Sequence, residues 1–403
     1  MGDASTAQHG LGIYVSVPFC RAKCSYCNFA SGVFAEARMQ SYVDRLCAEI
    51  ADVPVRSGAM QAQLPQRVES IFFGGGTPSL LAPLQLRQIF QAIQKSFDVT
   101  GDAEITVECA PGQISDAVLE EMLAQGTNRI SFGVQSFVDA EAAAVGRLHT
   151  AAMVQAEIAR VRSAGVRSIN VDLIAGLPHQ SAASWQTSLE TAVASGAGHV
   201  SVYMLEVDEE SRLGREVLAG GVRYHAHFIP DDALTADLYL AACEYLETAG
   251  VSQYEISNLA REGGESRHNL RYWLRQPYLG FGLDAHSMLR RADTETPAVR
   301  FANTDDLDRY IDGENPLASL AAKVAPEFIS RHAAREEKIF LNLRLNVGME
   351  HSELAALCGG EDVLRELEAD GLLVGEANRV RLSAQGRLLS NDVFARLLEA
   401  VPV

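Results

Sequence analysis

The sequence has little positive charge and no long apolar run, and these two shortages exclude several classes of protein. Its 403 residues include 34 Lys and Arg against 52 Asp and Glu, which gives a net charge of −18. Binding to a nucleic-acid backbone needs clustered Lys and Arg, so we expect no nucleic-acid partner. No stretch reaches the roughly 18 consecutive apolar residues that a transmembrane helix requires. Because hydrophobic residues make up 47%, a large globular domain and a smaller one are the expectation.

Cysteine is also too scarce and too unevenly spaced for a disulfide framework. Seven cysteines form an odd set, and three of them fall within residues 20–27. Reduced thiols in a cytosol, some of them metal ligands, explain this pattern better. The first ten residues have neither the basic nor the apolar part of a secretory signal. We therefore expect a cytoplasmic protein, with peripheral attachment to the inner face of the membrane left open.

Short β-rich runs alternate with amphipathic helical segments from residue 12 to about residue 250. Each strand–helix unit favours a parallel sheet, since parallel neighbours need a crossover and a helix supplies it. Six units, rather than eight, predict an α/β fold with a partial (β/α)6 barrel that is open enough for a large substrate. The predicted strands are residues 13–17, 70–73, 104–108, 129–133, 168–174 and 199–204, and the predicted helices are residues 40–50, 84–97, 116–124, 154–164 and 184–194.

The remainder of the chain has a different secondary-structure pattern. We divide it into a flexible N-terminus (1–11), the partial barrel (12–250), an extension (251–320) and a small C-terminal α+β domain (321–403). In the last part, a helix at 336–345, a two-stranded wing at 374–382 and a helix at 388–397 suggest a winged-helix-like domain. Such domains often bind DNA, but this one is acidic. We therefore expect it to cover the barrel mouth or to bind a protein.

Three cysteines in one short loop, Cys20, Cys24 and Cys27, are the strongest chemical signal. Three thiolates can ligate three of the four irons of a 4Fe–4S cluster, which leaves the fourth iron open to an exchangeable small molecule. The alternative is a zinc site. Zinc usually takes four ligands from paired knuckles, and no second knuckle follows. Cys47, Cys109, Cys243 and Cys358 are scattered, and we expect them to be small buried side chains.

This loop, placed after the first strand and with Tyr26 between its last two cysteines, resembles the radical S-adenosylmethionine (radical SAM) superfamily. The resemblance implies that the open iron chelates S-adenosylmethionine (SAM), which an electron from the cluster cleaves to a 5′-deoxyadenosyl radical. A flavodoxin or ferredoxin would then be the electron donor. Glu108 could accept a hydrogen bond from the methionine ammonium, and Asp172 from the ribose hydroxyls. Singly, each could be an ordinary polar residue at a strand end.

A longer series of segments resembles the oxygen-independent coproporphyrinogen III oxidase family and its relatives, over about residues 12–395. The segments are residues 14–20, 73–78, 131–136, 146–149, 172–178, 254–258 and 285–287. The resemblance implies SAM contacts at eight positions: Tyr14, Gly75, Gly76, Thr77, Glu108, Gln135, Arg147 and Asp172.

Two features favour the haem chaperone (HemW-type) branch of that family. The decarboxylating members have a fourth cysteine where this chain has Phe29. The chain also has an HNxxYW hexapeptide, in which His268 could ligate haem iron and Asn269 could orient it or bind a propionate. Tyr272 and Trp273 offer flat apolar faces. The competing interpretation is a loop histidine beside two core aromatics, and His225 and His227 are alternative ligands.

The branch implies a carrier that binds haem, a 4Fe–4S cluster and SAM, and passes haem to apo-haemoproteins, with membrane-bound respiratory enzymes among the candidates. The alternative is an enzyme that oxidatively decarboxylates coproporphyrinogen III in porphyrin biosynthesis.

Asp284 stands where relatives have a glycine, and it would add negative charge at the pocket mouth.

Overall fold

A computed structural model describes residues 10–313 and 325–402. Most of the predicted N-terminal segment and the boundary at residues 320–321 lie outside the described residues. The described part contains a 12-stranded sheet in the order β12-β11-β10-β9-β1-β2-β3-β4-β5-β6-β8-β7. Its strands are β1 Leu11–Val17, β2 Arg67–Gly75, β3 Asp98–Cys109, β4 Arg129–Gln135, β5 Ser168–Ala175, β6 His199–Met204, β7 Ser252–Gln253, β8 Asn258–Ala260, β9 Tyr278–Phe281, β10 His286–Arg290, β11 Ala298–Ala302 and β12 Glu327–Ile329.

The six central strands run parallel in chain order, which confirms the α/β prediction. The sheet is wider than predicted because β9 adds in parallel to β1, and β8 adds antiparallel to β6. These outer strands have two to five residues and carry too little periodicity to be predicted. The helices in this part are α1 Ala37–Ala51, α2 Val53–Ala59, α3 Pro83–Ser96, α4 Asp116–Ala124, α5 Asp139–Ala144, α6 Ala151–Ser163, α7 Ala182–Ala194, α8 Arg212–Leu218, α9 Asp232–Thr248, α10 Arg267–Trp273 and α11 Leu307–Asp312.

The two faces of the sheet differ in chemistry. The outer face packs apolar side chains of the strands against the helices, as where Phe73 meets Phe90 of α3 at 4.8 Å between ring centroids. The inner face is polar: Asn170 Nδ2 donates to Ser131 Oγ at 2.7 Å and to Ser201 Oγ at 3.1 Å. Buried polar groups must be paired, so this hydrogen-bonded lining keeps the inner face ordered. None of the described helices is both long and apolar enough to cross a membrane.

The C-terminal part has its own core and a small antiparallel sheet in the order β13-β15-β14. It comprises α12 Arg331–Asn342, β13 Met349–Glu350, α13 His351–Leu357, α14 Asp362–Ala369, β14 Leu373–Glu376, β15 Arg379–Leu382, α15 Ala384–Leu388 and α16 Ser390–Glu399. The wing turns at Ala377, whose φ is +55°. The helix predicted at residues 388–397 is α16, which begins two residues later, and α15 precedes it as a separate short helix.

This domain packs at the end of the barrel opposite the mouth. The backbone N–H of Asn346 donates to the Tyr254 carbonyl at 2.9 Å. The Tyr254 hydroxyl lies 2.9 Å from Nε2 of His199, which is the first residue of β6 and so marks the amino end of that strand. Arg344 pairs with Glu255 at 3.5 Å. The expectation that the domain covers the mouth is therefore wrong, because its charged contacts lie at the amino ends of the strands.

Candidate functional site

A cavity of about 340 Å³ opens at the carboxyl ends of the parallel strands. All three cysteines of the loop line it, together with seven of the eight predicted SAM contacts: Gly75, Gly76, Thr77, Glu108, Gln135, Arg147 and Asp172. These residues come from different strands and loops and are far apart in the chain. They meet because the carboxyl ends of parallel strands converge on one mouth.

Backbone hydrogen bonds hold the cysteine loop in place. The Cys20 amide donates to the Gly32 carbonyl at 2.9 Å, and the Ser25 amide to the Val145 carbonyl at 3.1 Å. Arg147 Nη1 donates to Cys24 Sγ at 3.5 Å. Burial raises the pKa of the Cys20 thiol, and a cationic iron centre would favour the thiolate instead.

The spacing of the thiols bears on what they could hold. Among residues 10–313 and 325–402, no three His, Cys, Asp or Glu side chains are grouped closely enough for a single metal ion. A cubane cluster binds each thiolate to a different iron. Three sulfur donors around one cavity, with open space in front of them, suit that arrangement.

The glycine segment after β2 packs directly against the cysteine loop. The Gly76 amide donates to the Val17 carbonyl, and the Thr77 amide to the Phe19 carbonyl, both at 2.8 Å. Gly75 has a φ of +99°, a conformation that favours glycine. A Cβ on Gly76 would lie 2.7 Å from the Phe19 carbonyl oxygen and 3.0 Å from Cys20 Sγ. Only glycine lets these two segments meet.

Two carboxyl groups give the cavity wall its electrostatic character. Burial, and then repulsion from Asp172, raises the pKa of Glu108 to about 8, although the Gly75 amide and Arg129 act to lower it. Burial also raises the pKa of Asp172, against hydrogen bonds from Ser201 and from Asn170 at 2.7 Å. A ligand with an ammonium or sulfonium group would relieve this repulsion, because an opposite charge favours the ionised carboxylates.

A second cavity, of about 300 Å³, adjoins the first. Its lining includes Tyr14, Tyr272, Tyr278, Asp284 and His286. Phe29 and Gly75 line both cavities. Tyr14, the eighth predicted SAM contact, therefore lies beside the main cavity and not in it, and Asp284 lines this second cavity.

The hexapeptide lies on α10, and its histidine is enclosed. His268 is 1% exposed, with Nδ1 3.0 Å from Ser70 Oγ and Nε2 2.9 Å from the Tyr272 hydroxyl. Burial, and then the charge of Arg271, lowers the pKa of His268 to about 3, so the ring is neutral. Both ring nitrogens of His268 therefore have hydrogen-bond partners, and neither is available to an iron.

The other members of the hexapeptide do not share one surface. Tyr272 faces the second cavity, whereas the Arg344 guanidinium lies 4.3 Å over the Trp273 ring, toward the C-terminal domain. The two rings are 6.4 Å apart at an interplanar angle of 67°, so they cannot stack on the same side of one flat ligand. Asn269 is partly buried and lines neither cavity.

Sequence reasoning missed the apolar rim of the main cavity. Tyr203 and Met204, at the end of β6, are both exposed there. Strand alternation after Ser201 would have placed Tyr203 on the inner face.

His225 and His227 lie on an exposed surface segment, where His225 Nδ1 is 2.9 Å from Nε2 of His179.

The six parallel strands and the three-cysteine loop at their carboxyl ends define a radical SAM protein. The sequence profile of the radical SAM superfamily matches residues 14–192, and that of the HemN C-terminal domain matches residues 329–389. The chain is 32% identical to heme chaperone HemW of Bacillus subtilis, over 96% of this chain and 98% of that protein. It therefore belongs to the HemW family within the radical SAM superfamily.

A further relative and one solved structure are also similar to this chain. A mitochondrial protein of Bos taurus, radical S-adenosyl methionine domain-containing protein 1, is 31% identical over 96% of this chain and 87% of its own. The structure of coproporphyrinogen III oxidase (HemN) from Escherichia coli has the same fold, with a TM-score of 0.78 at 23% identity over 96% of this chain and 90% of that one. The predicted resemblance is confirmed, and membership of the superfamily implies a 4Fe–4S cluster and SAM.

Proposed function

We propose that this protein is a cytoplasmic haem carrier that binds haem and delivers it to apo-haemoproteins, and that it does not decarboxylate coproporphyrinogen III. The observation that supports this most is the near-full-length similarity to heme chaperone HemW of Bacillus subtilis. Phe29 adds to it: this side chain, 61% exposed, stands between the two cavities at the position where decarboxylating relatives have a cysteine.

In this proposal, Cys20, Cys24 and Cys27 hold the cluster, and SAM fills the remainder of the main cavity. The cluster supplies an electron-transfer centre with one open coordination position. The backbone of Gly75 and Gly76 and the Thr77 side chain line the side next to the cysteine loop. Gln135, Arg147 and Asp172 complete the wall, and Tyr14 supports it from the neighbouring cavity. A flavodoxin or ferredoxin would be required only if the radical chemistry operates.

Glu108 gives SAM binding a specific pH dependence. With a pKa of about 8 in the free site, Glu108 must release a proton before it can pair with an ammonium group. Affinity for SAM should therefore fall roughly tenfold per pH unit below that value, and it should fall again at higher pH as the α-amino group of SAM loses its own proton. Glu108→Gln should weaken binding at pH 8.5 by about 1.5–3 kcal/mol, the range for a hydrogen bond to a charged group, and should remove this pH dependence.

Isothermal titration calorimetry of the reconstituted protein, in two buffers of different ionisation enthalpy, measures both the affinity and the proton released. Glu206, a carboxylate that lines the same cavity, provides the matched control as Glu206→Gln. Equal affinity at pH 6.5 and 8.5 in the wild type would remove Glu108 from the SAM site.

The carrier role predicts saturable haem binding and onward transfer. Under anaerobic conditions the reconstituted protein should bind about one haem per chain, since one iron-ligating site is proposed. It should then transfer that haem to an apo-haemoprotein, for which apomyoglobin serves as the probe. This transfer should be faster than the uptake of free haem by apomyoglobin, which is limited by the dissolution of haem aggregates. Optical titration and transfer kinetics measure the two steps. A titration that rises linearly with added haem and shows no saturation contradicts the proposal.

A further inference from the structure

The second cavity has walls made of aromatic rings. Tyr272 and Tyr278 meet edge to face at 4.6 Å between centroids, and Tyr14 stacks on Phe72 at 6.1 Å. Phe29, which lines both cavities, adds a further ring on the side toward the cysteine loop. Aromatic rings offer flat apolar area at little cost in conformational entropy. Such walls suit a planar, largely apolar ligand.

His286 is the histidine at the rim of this cavity, and it differs from His268 in the two respects that matter for ligation. Its side chain is exposed, and within the described part of the chain no residue hydrogen-bonds to either of its ring nitrogens. It begins β10, between β9 and β11, and its backbone closely approaches Gly280, where a Cβ would collide. A strand therefore fixes this imidazole at the cavity, and in its neutral form one ring nitrogen has a lone pair available for an iron.

We infer that the second cavity is the haem-docking site and that His286, and not His268, supplies the axial ligand to the haem iron. This inference rests on the proposed carrier function and names its binding residue. A neutral imidazole is a common haem ligand, and the tyrosine rings provide the apolar face. The hexapeptide then acts through Tyr272, which faces the cavity while its hydroxyl lies within hydrogen-bond distance of His268.

The size of the cavity also fits a carrier. Its volume of about 300 Å³ is at the lower end of the roughly 300–1,000 Å³ that enclose small ligands. Only part of a porphyrin can enter, so the edge that carries the two propionates stays in solvent. A haem that is ligated on one side and partly exposed remains accessible to an acceptor protein.

The experiment compares His286→Ala with His225→Ala, an exposed histidine outside both cavities, using haem and metal-free protoporphyrin IX as probes. Loss of the axial ligand should shift the Soret band of bound haem and weaken haem binding on the order of 10–100-fold, the scale seen when metal sites lose a supporting partner. Binding of metal-free protoporphyrin should stay unchanged in His286→Ala, and His225→Ala should match the wild type throughout. Tyr278→Leu should show the reverse pattern, with weaker binding of both porphyrins and an unshifted Soret band.

The outcomes distinguish an error in the ligand assignment from an error in the carrier function. If the wild type binds one haem and His286→Ala binds it with the same spectrum and affinity, the ligand assignment is overturned while the carrier function stands. If the wild type binds no haem, the proposed function itself is overturned. Circular dichroism of each variant shows whether a loss of binding reflects a loss of fold.

Discussion

Alanine at any one of Cys20, Cys24 or Cys27 is expected to abolish the iron–sulfur cluster. The three thiols line one cavity at the end of β1, in a loop tied to neighbouring segments by its own backbone. A cubane that has only three protein ligands cannot lose one and retain its fixed orientation toward SAM. The reconstituted wild type should contain about four irons and four sulfides per chain with a broad absorption near 400 nm, and each variant should lack both.

Cys47 supplies the matched control because it is a partly buried thiol of α1 that packs against the apolar core. Cys47→Ala should assemble the cluster like the wild type. The interpretation fails if a variant of the three-cysteine loop keeps its full content of iron and labile sulfide. It also fails if the anaerobic wild type contains stoichiometric zinc and no sulfide.

Gly76→Ala should be nearly as damaging, although it removes no ligand. The added methyl group would meet the carbonyl oxygens of Val17 and Phe19 at 2.8 and 2.7 Å, and Cys20 Sγ at 3.0 Å. Those carbonyls accept the backbone bonds that join the glycine segment to the cysteine loop, so neither can yield without moving Cys20. Overpacking of this kind costs about 1–3 kcal/mol of stability, and we expect most of the cluster and of the SAM binding to be lost.

Gly58→Ala is the control for this variant, since a Cβ there meets nothing within 4 Å. Gly58 lies in α2, where alanine should raise the free energy of unfolding by about 0.5–1 kcal/mol. Iron and sulfide content, SAM affinity and denaturant unfolding distinguish the two variants. A Gly76→Ala protein with wild-type cluster content and SAM affinity would show that the segments can separate without cost.

Much of the main cavity could be predicted because its residues follow strands with strong periodicity. Six β-rich runs with helices between them required a parallel sheet, and the convergence of strand ends brought Glu108, Gln135 and Asp172 together. The cysteine spacing supplied the chemistry. Local pattern and global topology agreed there, which is why the sequence alone could place the site.

The haem residues could not be placed in the same way. The hexapeptide reads as one motif, but α10 turns successive side chains about 100° apart, so Tyr272 faces the cavity and Trp273 the C-terminal domain. Nothing local shows that Ser70, almost two hundred positions earlier, encloses His268. The sequence contains His286 within segment 285–287 of the family resemblance but does not indicate that it reaches a cavity. Strands of five residues or fewer reveal little about which side chains do so.

A paired assay of turnover and haem binding distinguishes a haem carrier from a decarboxylating enzyme. The anaerobically reconstituted wild type is given SAM, a reductant and coproporphyrinogen III, and a parallel sample of the same preparation is titrated with haem. We expect no protoporphyrinogen, because Phe29 replaces the cysteine of the decarboxylating relatives, and we expect saturable binding of about one haem per chain. Turnover of coproporphyrinogen III to protoporphyrinogen, together with no saturable haem binding, would contradict this expectation and establish the enzyme instead.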